Sequence, residues 1–100
     1  MDKFEKVAEF AQLDRSSMTE YIKEFIDTYG PINSLTVFYY NTGYKETVDI
    51  YKEGDDIYVR NIATPSDPDD IILYSTDELY DIIMSIEHNL IPRLAEEFNK

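Results

Sequence analysis

The chain has 100 residues, of which 43% are apolar and 14% aromatic, and this is enough material for one core but not for two. Nine tyrosines and five phenylalanines, against three glycines and four prolines, exclude a disordered acidic chain. Cysteine is absent, which excludes disulfides and thiolate zinc sites and is typical of a reducing compartment. We therefore predict one acidic α+β domain over residues 1–100.

The charge is strongly negative: 21 acidic and 9 basic side chains give a formal net charge of -12. Such a surface repels nucleic acid and anionic membranes, so direct binding of either is excluded. Charges run through the first residues without an apolar stretch, which indicates neither a signal peptide nor a membrane anchor. The sequence predicts a soluble, cytoplasmic protein that acts on another protein.

Two helices are predicted before any strand. Apolar residues at helical spacing predict a short helix over residues 4–11. A second helix is predicted to begin at Ser17, which forms a capping-box pattern with Glu20, and to continue to Tyr29. The pair Gly30-Pro31 ends it, because glycine suits the left-handed position after a helix and proline cannot prolong one.

The apolar period then changes from 3.6 to 2, which indicates strands. Successive strands are predicted over residues 34–40, 44–52 and 56–64, joined by short turns that each contain glycine or proline. Residues 71–74 are predicted to form a fourth, short strand. An uncovered edge strand, either residues 34–40 or 71–74, offers a route to a homodimer.

The last helix begins at a second capping box, formed by Ser75 and Glu78, and Pro92 interrupts it so that it kinks or restarts. Its predicted buried face comprises Leu79, Ile82, Ile83, Ile86 and Leu90. The predicted order is α-α-β-β-β-β-α. We expect an antiparallel three- to four-stranded meander with two N-terminal helices and one C-terminal helix packed on it.

Catalytic and cofactor sites are not indicated. A single histidine, His88, and no cysteine leave no Ser-His-Asp or Cys-His arrangement, and the three glycines are too far apart for a phosphate loop. Asp67, Asp69 and Asp70 resemble a calcium loop, but Pro68 lies among them and the glycine of such loops is missing. We predict no enzyme activity, no cofactor and no metal.

The surplus charge lies mainly in the C-terminal third, where residues 65–100 carry nine acids and two bases. Nine acids are predicted to contact a partner, and only Arg60 opposes them in sequence: Glu53, Asp55, Asp56, Asp67, Asp69, Asp70, Asp77, Glu78 and Asp81. The five from Asp69 to Asp81 are expected to form the contiguous part of this surface. Three tyrosines, Tyr39, Tyr51 and Tyr58, are predicted to lie exposed on the sheet face away from the helices.

In size, acidity and compact α+β organisation the chain resembles small anti-CRISPR and DNA-mimic inhibitors. The resemblance covers composition and implies an inhibitor, encoded by a phage and acting in host cytoplasm, that blocks the basic nucleic-acid-binding surface of an effector nuclease. Two alternatives stay open. One is an immunity protein against a nuclease toxin, and the other is a structural or adaptor domain whose acidity serves only solubility.

Overall fold

A computed structural model of the chain describes residues 14–64 and 67–98. In these residues one helix, α1 (Arg15–Tyr29), precedes an antiparallel sheet of four strands, and a C-terminal helix follows it. The α+β class and the four-stranded meander are therefore confirmed. The described residues hold one N-terminal helix instead of two, because the helix predicted over residues 4–11 lies outside them.

The N-cap of helix α1 lies three residues earlier than its sequence pattern suggested. The Asp14 carboxylate accepts a hydrogen bond of 2.9 Å from the Ser17 N–H, so Asp14 is the N-cap and Ser17 lies inside the first turn. The predicted Ser17 cap was wrong because an aspartate at the earlier position satisfies the same backbone donors. Gly30 ends the helix at φ 91°, and its N–H donates to the Ile26 carbonyl.

The sheet order is β1-β2-β3-β4, with β1 (Ile32–Tyr39), β2 (Tyr44–Glu53), β3 (Asp56–Asn61) and β4 (Asp69–Asp70). Strand β3 is shorter than predicted, since the Asn61 side chain accepts the Ala63 N–H and turns the chain away.

The prediction of a strand over residues 71–74 was wrong. The strand is Asp69–Asp70, and Ile71–Leu73 forms a 3-10 helix. The physical cause is the Asp70 carboxylate, which accepts a hydrogen bond of 3.0 Å from the Ile72 N–H. Such a local bond from an aspartate closes a tight turn, so the apolar residues that follow cannot continue the pairing with β3.

The C-terminal helix runs in three consecutive segments: α2 (Thr76–Ser85), a π-helical segment (Ile86–Leu90) and α3 (Ile91–Phe98). Its capping box is confirmed, since Ser75 and Glu78 exchange both side-chain to backbone hydrogen bonds. The Ile91 N–H reaches back five residues to the Ile86 carbonyl. This wider turn accommodates Pro92, which lacks a donor and would clash with the carbonyl four residues earlier in a regular α-helix.

One core fills the space between the two helices and one face of the sheet. The predicted buried face of the C-terminal helix is confirmed, because all five of its residues are buried. The sheet contributes residues that alternate along the three long strands, except across a bulge between Ile32 and Leu35: Ile32, Leu35, Val37, Tyr39, Val48, Ile50, Ile57 and Val59. The opposite sheet face is covered by no helix of the described residues.

No helix in the described part of the chain combines the length and apolar character needed to cross a bilayer.

Candidate functional site

Strand β4 sends two neighbouring aspartates to opposite sides of the sheet. Asp70 lies beside Tyr58 and Asp69 lies beside Val59. Because Val59 is buried under the helices and side chains alternate along a strand, Asp69 lies on the helix side and Asp70 on the helix-free side. The five acids expected to form one contiguous group are therefore divided.

The helix-free side carries a tyrosine pair. Tyr51 of β2 lies opposite Tyr58 of β3, with ring centroids 5.9 Å apart and planes tilted by 30°. Partial burial raises the pKa of Tyr58, and the negative charges of Asp56, Asp70 and Glu53 raise it further. We call these five residues together the acidic face: Tyr51, Tyr58, Glu53, Asp56 and Asp70. Tyr51 and Tyr58 lie on the sheet face away from the helices, as predicted, but both are half-buried rather than exposed.

Two basic side chains of the same two strands are already ion-paired. Arg60 lies on the same sheet face as the tyrosine pair, two residues along β3, and forms an ion pair of 3.4 Å with Asp49. Lys52 lies on the other face of β2 and contacts Asp27 of α1 at 2.8 Å. The carboxylates of Glu53, Asp56 and Asp70 form no ion pair with a described side chain, although Lys52 and Arg60 line a groove with Glu53 and the Asp70 carboxylate accepts the Ile72 N–H.

Tyr39 does not belong to this face, and its predicted exposure was wrong. It is 6% exposed, because side chains alternate along β1 and Tyr39 therefore points towards the helices with Leu35 and Val37. A bulge at Asn33 and Ser34 brings Ile32 to the same side. Ser34 adopts a positive φ of 57°, and its N–H donates to Asp49.

A second acidic site lies on the helix side, where Tyr39 lines a pocket of about 370 Å³. We call it the acidic pocket; its lining residues are Tyr39, Thr42, Tyr44, Glu46, Asp69, Leu73, Tyr74 and Glu78. The Tyr39 hydroxyl donates to Glu46 at 3.5 Å. Burial, with the charges of Glu46, Asp69 and Glu78, raises the pKa of Tyr74 to about 12, so both phenols stay protonated donors at neutral pH.

Asp77 and Asp81 are used inside the molecule. Asp77 accepts a hydrogen bond of 2.9 Å from the Asn41 side chain, and the Asp81 carboxylate accepts one of 3.3 Å from the Tyr40 N–H. Asp81 is only 5% exposed, and this burial raises its pKa. Both carboxylates hold the β1–β2 turn against α2.

The remaining predicted acids, Asp55 and Asp67, lie exposed in the β2–β3 turn and in the loop before β4. In the described stretches no cluster of three or more potential metal ligands has metal-binding geometry.

Sequence reasoning missed Glu46 and Tyr74, which complete the acidic pocket. A signal for Glu46 was present, since it shares the alternation of Val48 and Ile50 and so had to face the helices. Tyr74 carried no such signal, because its position depends on the 3-10 helix that replaces the expected strand.

Comparison with protein-family models, with curated proteins and with solved structures finds no match for this chain.

Proposed function

We propose that this chain is a non-catalytic binding protein whose acidic face docks on the basic nucleic-acid-binding surface of an effector nuclease and blocks it. One observation carries the proposal. The ring pair of Tyr51 and Tyr58 lies on a sheet face that no described helix covers, and three carboxylates that form no ion pair with a described side chain act on Tyr58.

A tyrosine pair of this kind suits a protein interface. Tyrosine supplies a large, rigid contact area at low entropic cost, and its hydroxyl can still bond to a polar partner. Tyr51 and Tyr58 are fixed by backbone pairing in the centre of the sheet. They would bind without first being ordered, which favours affinity.

The carboxylates supply selectivity. Glu53, Asp56 and Asp70 are held on three adjacent strands, and Asp55 adds a fourth charge at the turn. Negative groups at fixed spacings can contact lysine and arginine side chains that otherwise bind phosphates, and they accelerate the encounter at low salt. An immunity protein against a nuclease toxin would use the same surface, so the identity of the inhibited nuclease separates the two roles.

An adaptor domain with an apolar interface is the second candidate. Ile72 and Leu73 of the 3-10 helix favour it, since these neighbouring aliphatic side chains are 65% and 70% exposed. Binding through them would be insensitive to salt, whereas binding through the acidic face weakens as salt rises.

The first experiment measures plasmid cleavage by a panel of purified nucleases with cationic DNA channels, RNA-guided effectors and nuclease toxins included, with and without excess protein. We expect strong inhibition of at least one nuclease and no cleavage by the protein itself. Unchanged cleavage by every nuclease in the panel would overturn the proposal.

A matched pair of variants then locates the surface on the inhibited nuclease. Asp56→Lys reverses a charge of the acidic face, and Glu20→Lys makes the same change at an exposed position of α1. We expect Asp56→Lys to weaken inhibition by about tenfold or more and Glu20→Lys by much less. Equal effects of the two variants would show that net charge alone is responsible and would contradict docking at the acidic face.

A further inference from the structure

Strand β1 is an edge strand without charged residues. Residues 31–44 contain none, although 30% of the whole chain is charged. Exposed edges are usually protected by lysines, prolines or short length, but β1 is eight residues long and its bulge lies at one end. Phe38 and Tyr40 add an edge-to-face ring pair, with centroids 4.8 Å apart, that is exposed beside it. This edge is therefore suited to pair with another strand.

The hydrogen bonds of β1 show which of its backbone groups point outward, that is, away from β2. The Tyr39 carbonyl accepts from Gly43 inside the hairpin, while the Tyr40 N–H points the other way, to Asp81 of α2. Because backbone groups alternate in direction along a strand, those of Phe38 and Thr36 point outward with that of Tyr40. A strand laid beside β1 could bond to Thr36 and Phe38 without disturbing β2.

The C-terminal helix lies beside this edge, and a groove runs between them. The charge of the side chains that line this groove changes sign from one end to the other. At the Tyr40 end, Asp81 and Asp77 bond to the β1–β2 turn, and these two acids outnumber the one base there, Lys45. At the Ser34 end the groove is lined by His88, Asn89 and Arg93. Arg93 forms no ion pair with the side chains described for residues 14–64 and 67–94.

We propose that two copies of this chain pair antiparallel through β1, about a twofold axis at Val37, and form one continuous eight-stranded sheet. In this arrangement Thr36 of each copy lies opposite Phe38 of the other, which gives two bonded residue pairs. The antiparallel order also brings the Arg93 end of each groove beside the Asp77 end of the other. Opposite charges therefore meet, although each copy carries a net charge of -12.

This dimer is independent of the acidic face. Strands β2 and β3 separate β1 from β4, so the edge of β1 and the exposed edge of β4 lie at opposite margins of the sheet. The two associations also respond differently to salt. Screening relieves the long-range repulsion between two acidic copies, so dimerisation strengthens as salt rises, whereas docking of the acidic face on a basic partner weakens.

Sedimentation equilibrium of the full chain is the direct test. We expect a monomer–dimer equilibrium with dimer dominant at about 100 µM and more dimer at higher salt, in keeping with a small interface. A monomer at every concentration up to about 1 mM, at low and high salt, would overturn the proposal.

A charge exchange tests the orientation of the two copies. Arg93→Glu and Asp77→Lys, each alone, place like charges together and are expected to weaken the dimer by about tenfold. The variant with both changes restores opposite charges and is expected to recover the dimer. If the combined variant dimerises no better than the worse single one while circular dichroism shows it folded, the antiparallel arrangement is wrong.

Thr36→Pro tests the edge itself. It removes an outward N–H and leaves the backbone bonds to β2 intact, while the exposed hydroxyl contact of Thr36 with Thr47 is lost in this variant and in Thr36→Val alike, so we expect a folded monomer. Thr36→Val keeps the donor and is expected to dimerise like the parent chain. A folded Thr36→Pro variant that still dimerises would exclude this edge as the interface.

Discussion

The two margins of the sheet differ in their charge. The margin at β3 and β4 carries Asp56 and Asp70 beside the tyrosine pair, with no described ion pair to compensate them. The margin at β1 carries no charge along the strand and opposite charges at the two ends of its groove. A net charge of -12 therefore describes neither margin, and each suits a different partner: a basic surface for one, a second copy for the other.

The largest expected effect is a loss of stability on substitution of a residue in the core layer that both margins share. Ile50 of β2 is fully buried and pairs with Ile32 and Val59. We expect Ile50→Ala to reduce the free energy of unfolding by about 2–5 kcal/mol, measured by urea denaturation, because it removes packed methyl groups and leaves a cavity. Both associations should weaken together in this variant.

Thr47→Ala is the control for that change, since it shortens a partly exposed side chain of the same strand. We expect it to shift the free energy of unfolding by about 0.5 kcal/mol or less. If Ile50→Ala were equally harmless, the shared core layer would be wrongly placed.

A second prediction concerns the effect of the three carboxylates of the acidic face on the pKa of Tyr58. The variant Glu53→Gln/Asp56→Asn/Asp70→Asn removes the three charges that raise the pKa of Tyr58, so that pKa should fall towards its ordinary value of 10.0. The tyrosinate signal followed by NMR as a function of pH measures it. Glu20→Gln should leave the Tyr58 pKa unchanged, and a triple variant with an unchanged pKa would contradict the clustering of these carboxylates.

A third prediction concerns Asp81, whose carboxylate accepts the Tyr40 N–H at the Tyr40 end of the groove. Burial raises the folded-state pKa of Asp81 above 3.8, so its contribution to stability is full below that pH and is lost as pH rises through the folded value. We expect the stability of the parent chain, relative to Asp81→Asn, to decrease over that range in urea denaturation.

The pH dependence of stability expected for Asp14 has the opposite sign to that for Asp81. The Ser17 N–H lowers its pKa below 3.8, so its contribution is present above that pH and is lost as pH falls through the folded value. The parent chain relative to Asp14→Asn should therefore become less stable on acidification. The same direction for both aspartates would show that one of the two environments is misassigned.

The smallest effect is expected at Pro92. It lies in the first turn of α3, directly after a π-helical segment that already accommodates its missing donor. We expect Pro92→Ala to change the free energy of unfolding, followed by thermal denaturation, by about 0.5 kcal/mol or less. A gain well above this would mean that the proline strains the helix beside β1.

Hydrophobic periodicity predicted the buried faces of the helices and strands better than it predicted which residues share an exposed surface. Met18, Tyr21 and Ile22 show why helix faces are readable: their spacing and their burial coincide. The placement of Tyr39 was readable but misread, since Tyr39 shares the two-residue alternation of Leu35 and Val37, which are buried. Asp70 was misread for a different reason, since its own side chain accepts the Ile72 N–H and ends the strand. Hydrophobic patterns do not encode a local hydrogen bond of that kind.

The most direct test of the central claim is the salt dependence of binding between the chain and the nuclease that it inhibits. The acidic face predicts an association constant that falls steeply from low to high salt, with a shallower slope for Glu53→Gln/Asp56→Asn/Asp70→Asn and an unchanged slope for Glu20→Gln. An association constant independent of salt, or an identical slope for the triple variant, would contradict docking through the acidic face.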